Sequence, residues 1–247
     1  MNPARSRYIA MWSGPRNIST AMLRSWGSRR DTVVVDEPLY AHYLKHSPYR
    51  DQHPGADEII DTYETDWRKV AAALTGPIPD GRSIYYQKHM THHMLDTIAL
   101  DWTDAVTNCF LIREPSEVLI SYAKVIPNPA LEQLGLPQQL ALFERARRIT
   151  GAVPPVIDAS DVLQNPRRIL SLLCDAIEIH FDDAMLSWPA GKRPTDGIWA
   201  KYWYAAVEAS TGFTPVQIRS ESVPDSLRGL HSECDEIYQT LYQYRLR

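Results

Sequence analysis

The chain has 247 residues, 44% hydrophobic and 23% charged, enough for one α/β domain with a substantial core. Its net charge of −4 excludes the broad basic field that draws nucleic acid, so an anionic ligand would have to be held by local cations. The three cysteines, Cys109, Cys174 and Cys234, contain no C-x-x-C pair and suit a reducing compartment, with Cys109 and Cys174 in apolar runs as small core residues.

Taken in chain order, the first predicted strand is 7–11, on the run Tyr8-Ile9-Ala10-Met11. The stretch Trp12-Ser13-Gly14-Pro15-Arg16-Asn17-Ile18-Ser19-Thr20 follows. It leads into a helix predicted near 18–29, where Ile18, Met22 and Trp26 recur every four residues on one face. A strand, a tight Gly/Pro turn and a helix start make an anion cradle, because free N–H groups at a helix N-terminus point at a phosphate and the dipole favours its charge. Arg16 and the hydroxyls of Ser13, Ser19 and Thr20 add donors. The loop is not the standard ATPase pattern: Ser19 stands where a second glycine belongs, and no lysine occurs before Lys45. An ordinary turn followed by a capped helix is the alternative.

A second strand is predicted at 32–36, followed by Glu37-Pro38 and an irregular segment, 40–54, that would line a pocket. A helix is predicted near 57–74 and a strand at 83–87. Lys88, His89, His92 and His93 come next, on and before a helix predicted near 91–99. On such a helix His89 and His93 would share one face, as would His92 and Asp96, but with no third ligand in the spacing the residues give no metal site. The strand 105–112 then runs into Arg113-Glu114-Pro115, with Pro115 suited to the first position of a helix near 116–125. A helix near 137–149, a strand at 156–159, and helices near 166–177 and 231–244 complete the order. Alternation of strands and helices implies a three-layer α/β/α fold with a mainly parallel central sheet, and ligands bind beyond the carboxyl ends of such strands.

Three segments carry a family resemblance. Pro15, Arg16, Ser19 and Thr20 fall on matching positions of the 5′-phosphosulfate loop of sulfotransferases, often Pro-Arg-Ser-Gly-Ser/Thr-Thr, while Asn17 and Ile18 depart from the usual Ser-Gly. Arg113 and Ser121 keep the eight-residue separation of the family's Arg-x-Pro-x-Asp-x-x-x-Ser-Tyr segment, with Glu117 in place of the usual Asp. The run from Val156 to Pro166, with Leu170 and Leu173-Cys174 beyond, resembles a strand, turn and packing helix of the same family. A looser likeness links Gly191-Lys192-Arg193 and Trp199 to a C-terminal loop that folds over the cofactor.

On these motifs the chain resembles a 3′-phosphoadenosine 5′-phosphosulfate (PAPS)-dependent sulfotransferase of the soluble bacterial type, with a P-loop NTPase-like fold. The resemblance implies a single domain over 1–247, with 188–224 as an irregular cap over the site. It implies PAPS as donor, adenosine 3′,5′-bisphosphate (PAP) as product, and a small-molecule hydroxyl or amine as acceptor. Cofactor contacts would come from Ser13, Gly14, Pro15, Arg16, Asn17, Ser19 and Thr20 at the 5′ side, and from Arg113, Ser121, Lys192 and Arg193 at the 3′-phosphate. Arg16 would steady the leaving oxygen. The base would be Glu37 or a member of the Lys88, His89, His92, His93 set, Lys88 and the histidines lying near the family's Lys-x-His but one residue out of register.

Two other readings remain at this level. A kinase or NTPase reading rests on Val33-Val34-Val35-Asp36 as a strand ending in a magnesium-binding Asp, against the missing Gly-Lys-Ser/Thr. A non-catalytic nucleotide-binding protein on the same fold is the other. No apolar run approaches the ~18 residues of a membrane span, and the opening residues carry no secretory apolar run beyond Tyr8–Trp12. The expectation is therefore a cytoplasmic protein with neither membrane nor nucleic-acid partner.

Overall fold

A computed structural model describes residues 7–215 and 221–247. Five parallel strands form one sheet in the order β2-β3-β1-β4-β5: β1 (Arg7–Ser13), β2 (Thr32–Asp36), β3 (Ile84–Met90), β4 (Thr107–Ile112) and β5 (Val156–Asp158). The central strand β1 reads as an unbroken apolar run, as expected of a strand covered on both faces, and Ile9, Ala10, Met11 and Trp12 are all fully buried. The chain leaves β1 for the β2 edge, returns through β3, then crosses to β4 and β5. Connections thus diverge around β1, and the crevice beyond its carboxyl end is the natural ligand position.

The helices are α1 (Ser19–Gly27), α2 (Tyr40–His46), α3 (Ala56–Thr62), α4 (Trp67–Thr75), α5 (Pro115–Tyr122) and α6 (Leu131–Leu134). They continue with α7 (Leu136–Thr150), α8 (Ala159–Gln164), α9 (Pro166–Ala176), α10 (Ala200–Trp203), α11 (Ala205–Glu208) and α12 (Arg228–Tyr242). One face of the sheet packs Met22, Leu23 and Trp26 of α1 and Ile169, Leu170 and Leu173 of α9. The other packs α4, α5, α7 and α12 through Leu74, Leu119, Phe143 and Leu241. The result is the three-layer α/β/α fold expected from the alternating pattern. A smaller cluster joins Tyr40, Tyr43, Ile59, Trp199 and Tyr204 over the β2 side.

Besides the short helices α6, α8, α10 and α11, which the pattern does not mark, sequence and structure differ at four places, each for a local reason. The helix expected over 57–74 is two helices, because Asp66 caps α4 by accepting from Arg68 N at 2.9 Å. The segment 40–54 is not wholly irregular but opens with α2. Strand β3 continues past Gln87 to Met90, since its polar residues find buried partners: Gln87 Nε2 donates to Leu74 O at 2.8 Å, and the His89 ring stacks on Trp12 at 4.3 Å. The helix expected over 91–99 is only a 3₁₀ turn, Thr91–His93. His89 therefore lies on a strand and His93 on a turn, and neither they nor His92 and Asp96 share a helix face. Among the described residues no helix is long and apolar enough to cross a membrane.

Candidate active site

The loop after β1 is held open by its neighbours. Gly14 lies against α6, where a Cβ would come within 2.7 Å of the Leu134 carbonyl oxygen, so only glycine fits. Arg16 takes a positive φ of 56°, a conformation costly for a residue with a Cβ. The loop is tied from β4 and α7: Asn17 Nδ2 donates to Leu111 O at 3.1 Å, and Gln139 Nε2 donates to Trp12 O at 3.0 Å. The N-cap position of α1, Ile18, supplies no side-chain acceptor, so the first N–H groups of this nine-residue helix carry no side-chain cap. Ser19 is buried in the first turn and Thr20 is half-buried beside it.

The second motif meets the first at Arg16. Arg16 Nε donates to Ser121 Oγ at 2.9 Å, and Arg113 Nη1 donates to the Arg16 carbonyl at 2.7 Å. Glu117, one helical turn beyond, pairs with Arg113 at 2.8 Å and aims its guanidinium. Arg16, Arg113 and Ser121, three residues singled out by the motifs, thus form one cluster at the carboxyl ends of β1 and β4. Ser13 does not join it as a donor: its hydroxyl is fully buried and turned toward His89 O at 3.5 Å. Asn17 donates from Nδ2 to β4 and accepts from Ile18 N at Oδ1, at 2.7 Å, and so serves loop geometry.

A separate charged cluster stands at the ends of β2 and β3. Parallel pairing sets Asp36 beside Lys88. The Lys88 ammonium, only 1% exposed, donates to Asp36 Oδ1 at 2.8 Å, Glu37 Oε1 at 2.7 Å and Tyr204 OH at 2.6 Å. An ammonium has three N–H groups and all are committed, so Lys88 has none left for a ligand. The Tyr204 hydroxyl donates to Asp36 Oδ2 at 2.7 Å and accepts from Trp199 Nε1 at 3.2 Å. Gly197 N also donates to Asp36 Oδ2, at 3.2 Å. Gly197 must be glycine, because a Cβ would stand 2.1 Å from Cζ2 of the Trp199 indole. Glu37 itself holds a positive φ of 43°. Burial pushes its carboxyl up, the Lys88 ammonium pulls it down, and the Asp36 charge adds to the rise. For Lys88 burial works against the charge, but the two carboxylates prevail and raise it.

The histidines form an aromatic wall beside Glu37. His93 stacks between Tyr40 at 4.7 Å and Tyr43 at 4.8 Å, and its Nε2 lies 3.9 Å from Glu37 Oε2. His92 packs edge-on to Tyr43 at 5.2 Å. Burial holds the His92 imidazole down at about 3, and His93 well below the usual range. His89 is likewise held at about 3 by burial, in its stack on Trp12. All three histidines are neutral packing groups rather than surface residues. Among the described residues no group of three or more His, Cys, Asp or Glu side chains is placed to hold a metal ion.

Lys192 and Arg193 are not brought to the loop. Their turn is strapped to α1 by the Arg24–Asp196 ion pair at 2.7 Å. Arg193 lines a cavity with Gly27, Ser28 and Thr32, at the far end of α1 from Arg16, and Lys192 is exposed. The part of 188–224 that reaches the ends of β2 and β3 is instead Gly197 to Tyr204; residues 216–220 of that segment lie outside those described. Sequence reasoning missed Tyr204, which no spacing or motif marks. Asp36 was weighed only as a magnesium ligand, whereas its oxygens are taken by Lys88, Tyr204 and Gly197 N.

The parallel sheet order, the tight loop between β1 and α1 and the arginine clasp from β4 match a sulfotransferase-type α/β fold. The profile of the family described as "Sulfotransferase domain" matches residues 7–228, and the chain belongs to that family. Among solved structures, it is similar over 99% of its length to the whole sulfotransferase domain of the curacin biosynthetic pathway, with TM-score 0.52 and 16% identity. It is similar over 100% of its length to 99% of the sulfotransferase domain of the Synechococcus olefin synthase, with TM-score 0.50 and 12% identity. These two likenesses show the fold. Two Arabidopsis thaliana proteins named branched-chain-amino-acid aminotransferase-like protein 1 and 2 are 37% and 34% identical to it over 212 and 235 residues. These spans are 85% and 94% of this chain but only 37% and 41% of those proteins, so the chain spans well under half the length of these relatives.

Proposed function

We propose that this chain transfers a sulfuryl group from PAPS to a hydroxyl or amine of a small molecule. What carries the reading is the meeting of Arg16, Arg113 and Ser121 beside an α1 N-terminus without a side-chain cap, all at carboxyl ends of adjacent strands. That donor set fits an anionic nucleotide. The α1 turn with Ser19 and Thr20 would hold the 5′ side, and Arg113 and Ser121 the 3′-phosphate. When bound, PAPS supplies an activated sulfur whose bond to the phosphate oxygen breaks as the bond to the acceptor forms.

Positioning and charge stabilisation carry most of such a transfer. Arg16 supplies positive charge where the leaving oxygen gains negative charge. Glu37 takes the acceptor proton. Burial raises its carboxyl above the usual carboxylate range, the direction that suits a base, whereas His92 at about 3 is a poor base at neutral pH. Lys88, with its three donors spent, orients Glu37 rather than touching the donor. The largely apolar cavity of about 400 Å3 bounded by Glu37, Tyr63 and Trp199 is the space we assign to the acceptor body. The kinase reading loses its main support, because Asp36 is already bound within the protein.

Calorimetric titration with PAP, with ATP as comparison and with and without magnesium, tests the proposal. Tight, magnesium-independent binding of PAP over ATP is expected. Magnesium-dependent preference for ATP, or no binding of PAP, overturns it. Tight PAP binding without sulfuryl transfer to any acceptor would instead mark a non-catalytic relative.

A further inference from the structure

We propose that Tyr204 is a positioning residue for Glu37: its hydroxyl fixes the Asp36–Lys88–Glu37 cluster so that Glu37 Oε2 is left open as the proton acceptor. The inference rests on the assignment of Glu37 as base. Glu37 Oε1 is occupied by Lys88 at 2.7 Å, with the Tyr204 hydroxyl at 3.4 Å. Among the described residues the polar partner of Oε2 is His93 Nε2, at 3.9 Å. One carboxylate oxygen is anchored and the other faces the aromatic wall.

Tyr204 is the residue that makes this asymmetry. It is 4% exposed and sits between α10 and α11, 168 positions from Asp36, so nothing local brings it there. Trp199 Nε1 and the Lys88 ammonium both donate to its oxygen, which leaves its single proton for a carboxylate. That proton goes to Asp36 Oδ2, at 2.7 Å. Asp36 is thereby held by Tyr204, Gly197 N and one Lys88 N–H, while Glu37 keeps a single short bond. Two buried carboxylates share one ammonium, and the uneven distribution of donors, three on Asp36 and one short bond on Glu37, leaves Glu37 as the group that exchanges a proton.

The groups facing Glu37 are Asp36 from β2, Lys88 from β3, His93 from the turn after β3, Tyr40 from α2 and Tyr204. Removing the Tyr204 hydroxyl strips one donor from the pair and changes none of the other four. Without the lowering contribution of the Tyr204 hydroxyl, Glu37 then takes up its proton at higher pH.

The test is an infrared titration of the carboxylate band on the ligand-free protein, with E37Q subtracted to isolate the Glu37 contribution. In Y204F the midpoint is expected to rise by about one pH unit, a tenfold change in proton affinity. Replacing Tyr204 by 3-fluorotyrosine keeps the shape and strengthens the donor, and should move the midpoint down; this variant serves if Y204F does not fold. An unmoved midpoint in the folded variants overturns the inference, even if melting temperature falls, because a purely structural role would lower stability alone. PAP affinity is measured on the same proteins and is expected to stay within twofold. Loss of PAP binding in the unaltered protein would fault the sulfotransferase reading, whereas a fixed midpoint with intact PAP binding faults only the role of Tyr204.

Discussion

The two halves of the site are built in opposite ways. The β1/β4 half is assembled from segments that follow their strands directly: the 14–20 loop runs off β1, and Arg113 and Ser121 run off β4 into α5. Arg16, Arg113 and Ser121 are half-buried, and the donors of this half are backbone N–H groups and arginines. The β2/β3 half is buried, anionic and closed by a distant segment, with Tyr204 and Gly197 supplying donors that no neighbour in sequence could supply. In the proposed reaction the first half would bind and release an anion, which suits local, accessible donors. The second would hold Glu37 as base, which needs exclusion of water, and exclusion of water needs tertiary closure.

The sharpest break of that contrast is Lys88→Met. It would leave Asp36 and Glu37 buried without their shared cation, and should cost about 3–5 kcal/mol. For a chain of this size that is a fall in melting temperature of roughly 10 °C. A calorimetric melt checks it, and a change of only one or two degrees would mean the carboxylates are not held by Lys88. Next comes Arg16→Ala, expected to lower sulfuryl transfer by roughly 100- to 1,000-fold while weakening PAP binding much less. Parallel rapid-quench and binding measurements decide this, and unchanged turnover removes Arg16 from the chemistry.

Arg113→Ala should weaken PAP by roughly 10- to 100-fold, and adenosine 5′-phosphosulfate, which lacks the 3′-phosphate, by less. Equal losses for the two ligands would show that Arg113 acts only through its bond to the Arg16 carbonyl. The smallest effect concerns pH. His89 and His92 are held at about 3 and His53 at about 4, below their unfolded value near 6.5. Between those limits the unfolded chain binds more protons, so stability rises with pH and is lost as pH falls from about 6.5. Each such histidine contributes a slope of at most about 1.4 kcal/mol per pH unit. Denaturant melts at pH 5 and pH 7 should show His92→Gln with a shallower loss than the unaltered protein, and an equal loss would mean that His92 is already charged in the folded state.

Five strands in the expected places, the α1 and α5 starts and the family follow from patterns that are local. Apolar runs mark strands buried on both faces, as at Ile9–Trp12, and Pro115 marks the first turn of α5. Arg113 and Ser121 are legible because both lie on one strand-to-helix segment. Polar residues mislead where their partners are remote. Lys88 and His89 look like the end of a strand until Asp36, Glu37 and Trp12 are brought beside them. His89 and His93 look like one helix face until Trp12 takes His89 into one stack and Tyr40 and Tyr43 take His93 into another.

By itself the sequence determined the order of the strands along the chain, the loop after β1 and the arginine that meets it after β4, because each is set by residues within one turn or one strand of each other. Tertiary structure alone decided that Ser13 turns inward, that Lys88 spends its donors on protein groups, that Lys192 and Arg193 stand away from the loop, and that Tyr204 completes the carboxylate cluster. Those outcomes depend on which groups lose water together, and that is fixed only when segments far apart in the chain pack against the same strand ends.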